Sequence, residues 1–176
     1  GEPRIEPRLF AACAGRYARF DGGRRVFAGP SAVAAAGGLL WVVHRETRRV
    51  AVLQCTGGTG QSDREAELRA SYRVGAGGRG IALSPDGQTA WVDVGFEHAI
   101  ARLEFRASDA EQEAALELRR PLGPTTLSSD ALRGRRIFFD ADDTHLTPSG
   151  VVTCSTCHPG GGEDGQTWFL HTPGVE

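Results

Sequence analysis

The chain has 176 residues, a formal net charge of −2 and 40% hydrophobic residues, which suits one or two soluble domains. Because the charge is close to neutral, it gives no electrostatic case for binding nucleic acid or anionic membranes. No apolar run reaches the length of a membrane span, and no signal peptide is visible. The sequence starts at Gly1 and contains no Met, so we expect a processed or partial product.

The first 25 residues are polar and interrupted by Pro and Gly, and they predict little regular structure beyond one strand near Arg8–Ala12. Cys13 and Cys55 are isolated in sequence. They form either a disulfide across the N-terminal region or two buried free thiols, and the sequence leaves both readings open.

An internal repeat follows. Trp41–Leu53 aligns with Trp91–Leu103, an offset of about fifty residues that falls in the range of propeller blades. Each copy predicts two short strands around a polar turn, and a further strand precedes each copy, at Ser31–Ala36 and at Gly80–Ser84. Residues 57–70, between the copies, predict a polar loop.

The second half begins with a linker, residues 108–128. Apolar residues alternate from Ala114 to Leu118 and favour a strand, although Ser108-Asp109 would also suit the cap of a short helix. A helix is then predicted to start after Ser128 or Ser129 and to run to about Phe139.

The motif with the clearest chemistry is Cys154-Ser155-Thr156-Cys157-His158, a C-x-x-C-H sequence typical of c-type haem attachment. Two thiols at this spacing reach both vinyl groups of one haem, and the adjacent imidazole is a good iron ligand. A zinc site would need two further ligands, and a thioredoxin-like pair would need a βαβ context. A Cys154–Cys157 disulfide would leave His158 unexplained. We therefore predict one covalent haem c, with His158 as the proximal iron ligand.

The repeat resembles a known family. Residues 81–92, Ile-Ala-Leu-Ser-Pro-Asp-Gly-Gln-Thr-Ala-Trp-Val, are similar to a YVTN-type β-propeller blade, and the likeness covers residues 26–106 as two blades. The first copy lacks the Pro-Asp of the turn. Because a closed propeller uses four to eight blades, the resemblance implies that further blades or another chain cover the open strand edges. A small independent β-sandwich is the alternative for these strands.

From Gly134 onward the chain resembles the first haem domain of bacterial di-haem cytochrome c peroxidases and their MauG-like relatives. The likeness rests on Gly134–Asp140, on Leu146–Pro159 and on Glu163–Trp168. Members of that family pass electrons between two haems, whereas this chain has a single attachment motif. The resemblance implies a partial propeller at 1–107, the linker, and the front part of a cytochrome c domain at 129–176.

Other residues are candidate haem contacts. With no Met available, His171 is the candidate distal iron ligand, and His145, His98 and His44 are alternatives. His145 is more simply a loop residue, and His44 and His98 are expected to be exposed in the turns of the repeat. Residues with a predicted haem contact are Phe138, Trp168 and Arg135, the last of which, or Arg136, would pair with a propionate. The acidic residues Asp140, Asp142, Asp143 and Glu163 are expected on a solvated face rather than around Ca²⁺.

The sequence thus predicts a mixed fold, with two blades of an incomplete β-propeller followed by a small α-helical cytochrome c-like haem module. The predicted function is electron transfer, in the periplasm or outside the cell, with a redox partner protein. Two alternatives stay open, a MauG-like or peroxidase-like oxidoreductase with a second haem elsewhere, and a binding module built on the propeller.

Overall fold

A computed structural model of the chain describes residues 27–56, 65–108, 111–117, 125–147, 150 and 152–166. Two β-sheets make up most of this part. The strands are β1 (Pro30–Ala36), β2 (Leu39–His44), β3 (Arg49–Thr56), β4 (Glu65–Arg73), β5 (Gly78–Leu83), β6 (Thr89–Val94), β7 (Ala99–Glu104), β8 (Glu111–Glu113) and β9 (Ala115–Glu117). The helices are α1 (Ser129–Phe138) and α2 (Cys154–Cys157), and a 3₁₀ turn follows at Pro159–Gly161.

The two sheets are built alike. Sheet A has the strand order β1-β2-β3-β4-β8, antiparallel except for the parallel pairing of β4 with β8. Sheet B has the order β5-β6-β7-β9 and is antiparallel throughout. The strands that the repeat predicts are confirmed as β1 to β3 and β5 to β7, and β9 lies within the predicted strand of the linker. Strand β4 was missed, because most of its residues fall in the segment 57–70, which was predicted as a loop.

Both sheets contribute to one apolar core. The residues on the side of sheet A are Leu39, Trp41, Val43, Val50, Val52, Ala70, Tyr72 and Val74, and those on the side of sheet B are Ala90, Val92, Val94, Ala99, Ala101 and Leu103. In β6 and β7 every second residue is buried, because successive side chains of a strand point to opposite faces. Burial of this apolar area holds the sheets together.

The two copies of the repeat also have the same backbone conformation in their turns. Gly37 and Gly87 occupy equivalent turns, have positive φ angles of 57° and 72°, and lie with their backbones in contact across the two sheets. Arg48 and His98 occupy the next pair of equivalent turns, and both have positive φ, at 52° and 51°. The two copies therefore share backbone conformation even where their residues differ.

The predicted mixed fold, with propeller blades followed by a small α-helical haem module, is wrong. The described chain is mainly β, in two sheets, and its helices are one of ten residues and one of four. Helix α1 starts at the predicted cap, where Ser128 Oγ accepts from Ala131 N–H, but it has no buried residue. After α2, Pro159 and the glycines that follow prevent the helix from continuing, since Gly160 and Gly161 have positive φ.

Among the residues that the structure describes, no helix combines the length and apolar composition needed to cross a membrane.

Candidate haem-attachment site

The two cysteines of the motif share a single helical turn. Thr153 stands at the N-cap of α2, and its backbone N–H donates a 3.0 Å hydrogen bond to Thr156 Oγ1. Cys154 is exposed and Cys157 is half-buried, and both are free thiols. The turn thus presents two reduced sulfur atoms from one short element, as thioether formation requires.

The imidazole of His158 is held at one nitrogen. Its Nδ1 lies 2.9 Å from the carbonyl oxygen of Gly162. A carbonyl oxygen only accepts, so Nδ1 carries the proton and donates, which leaves the lone pair of Nε2 free. The positive φ angles of Gly160 and Gly161 turn the chain back so that this carbonyl reaches the ring. Histidines that bind metals commonly have their second ring nitrogen bonded in this way.

These residues fit a covalent haem. Two free thiols at C-x-x-C spacing would take the vinyl groups, and an exposed imidazole with a free Nε2 would take the iron. In the described ranges, no group of three or more His, Cys, Asp or Glu side chains is placed to hold a metal ion directly. A haem needs no such group, because the porphyrin supplies the equatorial ligands.

The motif is attached to sheet A by a buried hydrogen bond. Ser155, the residue after the first cysteine, donates from Oγ to Glu46 Oε1 at 2.6 Å. Glu46 is 7% exposed and Ser155 is 8% exposed, so the bond is shielded from water. Thr153 Oγ1 lies 2.8 Å from Ser155 Oγ and extends the network. A buried carboxylate requires such donors, so this contact fixes where the motif lies.

Glu46 belongs to the tight turn between β2 and β3. Its side chain packs on Gly29, where a Cβ atom would collide with it. Its backbone carbonyl accepts a 2.9 Å hydrogen bond from the N–H of Ala141, which follows α1. The β2–β3 turn therefore contacts two other segments. The backbone carbonyl of Glu46 binds the residues after α1, and its side chain binds α2.

Three arginines surround Asp142, two from sheet A and one from the β2–β3 turn. Arg48 Nη2 is 3.1 Å from Asp142 Oδ2, Arg73 Nη2 is 3.3 Å from the same oxygen, and Arg49 Nη1 is 2.5 Å from Oδ1. The Asp142 side chain is 14% exposed. This cluster, called the Asp142 cluster below, ties the segment between the two helices to the sheet.

The remaining predicted haem contacts lie elsewhere or outside the described residues. The guanidinium of Arg135 lies over the ring of Phe96, 4.3 Å from its centroid, and Phe138 contacts Phe139 edge-on at 5.0 Å. Helix α1 therefore presents these side chains to the turn after β6 and to its own end. Trp168 and His171 lie outside the described residues, as do Cys13 and the side chain of Cys55.

Of the alternative histidine ligands, two are where the sequence predicts them. His98 is exposed, and His145 is an exposed loop residue whose Nδ1 lies 3.2 Å from Asp143 Oδ1. The prediction for His44 is wrong, because its side chain is fully buried, with the Phe27 ring 5.0 Å away. Burial, and secondly the charge of Arg49, lowers the pKa of His44 to about 4.

The prediction of a solvated acidic face is also wrong in part. Asp142 is half-buried among arginines, and Asp140 is 22% exposed and lies 3.6 Å from Arg48. Asp143 and Glu163 are more open to solvent. The sequence did not mark Glu46 or Ser155 as functional; the one local signal is the turn sequence Arg-Glu-Thr-Arg-Arg, with a lone acid among arginines.

No family model matches the chain, and no curated protein matches it. Among solved structures, it is similar to hydrazine synthase of Kuenenia stuttgartiensis, with 26% identity, a TM-score of 0.38, and coverage of 58% of this chain and 28% of that one. It is also similar to a protein of unknown function from Desulfotomaculum acetoxidans, with 18% identity, a TM-score of 0.36, and coverage of 49% and 27%. The chain thus spans less than a third of the length of either neighbour. With TM-scores below 0.5, neither likeness indicates a function for this chain.

Proposed function

We propose that this chain transfers electrons through one covalently attached haem c. Cys154 and Cys157 would hold the haem through thioethers, and His158 would bind the iron through Nε2. The observation that supports this most directly is the grouping on one turn of two free thiols and an imidazole whose Nδ1 is already bonded. When bound, the haem supplies a reversible one-electron couple.

The chain's own residues would tune that couple. The Gly162 carbonyl fixes Nδ1 as the protonated ring nitrogen of His158 and orients the ring, and a hydrogen-bonded imidazole is a stronger donor to the iron. The Ser155–Glu46 bond holds the turn against the rigid sheet, which limits reorganisation around the group. His171 stays our candidate for the distal ligand. Thioether attachment belongs to oxidising compartments, so we place the protein in the periplasm or outside the cell, with a redox partner protein.

The experiment is a spectroelectrochemical titration of chain produced with a working c-type maturation system. Electron transfer predicts one reversible one-electron wave and no turnover of hydrogen peroxide. His171→Ala should turn a six-coordinate low-spin spectrum into a high-spin one, while His145→Ala, at an exposed loop position, should leave it unchanged. Steady peroxide turnover would overturn the proposal in favour of a peroxidase-like oxidoreductase.

A further inference from the structure

A cleft of about 110 Å³ lies where three parts of the fold meet, one of which is the β2–β3 turn that also contacts the C-x-x-C-H motif. These parts are the β2–β3 turn, the segment before β5 with the β6–β7 turn, and the end of α1. Five charged side chains line it: Arg45, Arg48, Glu97, Arg136 and Asp140. Pockets for drug-sized ligands measure roughly 300–1,000 Å³, so this cleft suits only a small group.

Two of the five charges, Arg48 and Asp140, are paired within the protein. Arg48 bonds to Asp142 at 3.1 Å and lies 3.6 Å from Asp140. Glu97 accepts a 2.8 Å hydrogen bond from the backbone N–H of Ala76. Arg45 and Arg136, in contrast, have no carboxylate partner among the described residues. With three arginines against two carboxylates, the cleft carries a net positive charge.

Arg45 also has an unused donor. Its Nε is buried and, within the described part of the chain, has no hydrogen-bond partner. Its guanidinium lies 4.4 Å from the centroid of the Phe139 ring, which holds it flat. A buried donor without an acceptor is costly, so an oxygen that reached it from the cleft would be bound favourably.

The aromatic wall of the cleft is fixed by packing. Phe139 lies 5.4 Å from Phe96, and Phe96 packs directly on Gly77, whose φ is +77°. Any Cβ at Gly77 would overlap the Phe96 ring. The wall therefore keeps the Arg45 guanidinium in place whether or not a ligand is present.

We propose that this cleft is a binding site for a small oxyanion, a carboxylate or a phosphate, held by Arg45 and Arg136. The planar fork of a guanidinium matches two oxygens of such a group, and a rigid fork loses little entropy on binding. Glu97 is the opposing charge in the cleft, and it weakens the site. The site itself does not rest on the proposed function, because the oxyanion is either free or a propionate of the attached haem.

The test follows the Nε–Hε signals of the arginines by NMR in a haem-free chain, Cys154→Ala/Cys157→Ala. Inorganic phosphate is titrated at constant ionic strength, in chloride. The Arg45 signal should shift saturably. Arg136→Gln should weaken binding about tenfold, as expected for a charged hydrogen bond. Arg133→Gln, on the exposed side of the same helix, should have no effect, and Glu97→Gln should strengthen binding.

The same titration on reduced, haem-loaded chain distinguishes the two sources. Loss of phosphate binding, with the Arg45 signal already displaced, would identify a propionate as the occupant, and unchanged binding would identify a free anion. If the chain takes up no haem, the haem-free titration still decides whether the cleft binds an oxyanion. Absence of any Arg45 response in every form tested, or equal effects of Arg133→Gln and Arg136→Gln, would overturn the site.

Discussion

Ser155 donates a 2.6 Å hydrogen bond to the carboxylate of Glu46, across 109 residues of sequence, and both side chains are buried. One partner lies inside the C-x-x-C-H motif, and the other lies in the turn between β2 and β3. The sheet therefore contacts the attachment turn through a specific polar bond. In the part of the chain that the structure describes, this bond holds a short motif against a β-sheet without a helical module around it.

Removing the donor should be costly. Ser155→Ala leaves the Glu46 carboxylate buried without its donor, and we expect the free energy of unfolding to fall by about 1–3 kcal/mol. Urea denaturation, monitored by tryptophan fluorescence, measures this free energy. Ser129→Ala, an exposed serine at the start of α1, is the matched control and should change stability by less than about 0.5 kcal/mol. Equal effects of the two substitutions would show that the bond contributes nothing.

The Asp142 cluster gives a second prediction. In Asp142→Asn, three guanidinium groups lose the carboxylate that they share, and two of these arginine side chains are largely shielded from water. We therefore expect the free energy of unfolding to fall by about 2–3 kcal/mol. The comparison is Asp143→Asn, at the neighbouring and more exposed carboxylate. Thermal unfolding of both variants measures the difference, and matching midpoints would contradict this role for Asp142.

The buried His44 predicts a pH dependence. Burial, and secondly Arg49, lowers its pKa from 6.5 to about 4, so between these values the unfolded chain binds a proton that the folded chain does not. Its contribution is complete above about pH 6.5 and is lost as the pH falls toward 4. We expect stability to drop by about 2 kcal/mol from pH 7 to pH 5.

Urea denaturation at the two pH values checks this. His44→Gln should remove most of the drop, whereas His98→Gln, at the exposed histidine of the equivalent turn, should keep it. A drop of the same size in His44→Gln and in the unaltered chain would assign it to other groups.

The contact between equivalent turns predicts that Gly37 is required there, and the neighbouring Gly38 serves as the comparison. Both Gly37 and Gly38 have positive φ, which costs a residue with a side chain about 1 kcal/mol. At Gly37 a Cβ would also meet the backbone of Asp86, whereas at Gly38 it would meet nothing within 4 Å. Gly37→Ala should therefore destabilise by about 1 kcal/mol more than Gly38→Ala. Equal unfolding midpoints for Gly37→Ala and Gly38→Ala would show that the contact between the two turns contributes nothing to stability.

The strands of the repeat could be predicted because their signals are local. Alternation of apolar residues and a turn such as Ser84–Gly87 act over a few residues, and β1 to β3 and β5 to β7 follow them. Burial could not be predicted in the same way. Trp41 and Trp91 occupy equivalent positions, yet Trp41 is fully buried against sheet B while Trp91 is partly exposed, since which face is covered depends on the neighbouring sheet.

The helical module was predicted from a resemblance centred on the C-x-x-C-H motif, and in the described part of 129–176 the structure has only α1, the motif's own turn and the 3₁₀ turn after it. Pro159 and the three glycines after it end the helix, so local chemistry outweighed the likeness. The Ser155–Glu46 bond leaves no periodic trace in the sequence, because its partners are far apart and each stands in a short turn. The cleft around Arg45 was missed for the same reason.

The central claim, a haem bound through Cys154 and Cys157, is tested most directly by the intact mass of chain produced with a c-type maturation system. We predict a gain equal to one haem, retained after denaturation and lost in Cys154→Ala/Cys157→Ala, with a c-type spectrum in alkaline pyridine. An unmodified mass, in protein that is folded and whose maturation system loads a reference cytochrome in the same cells, would contradict the account.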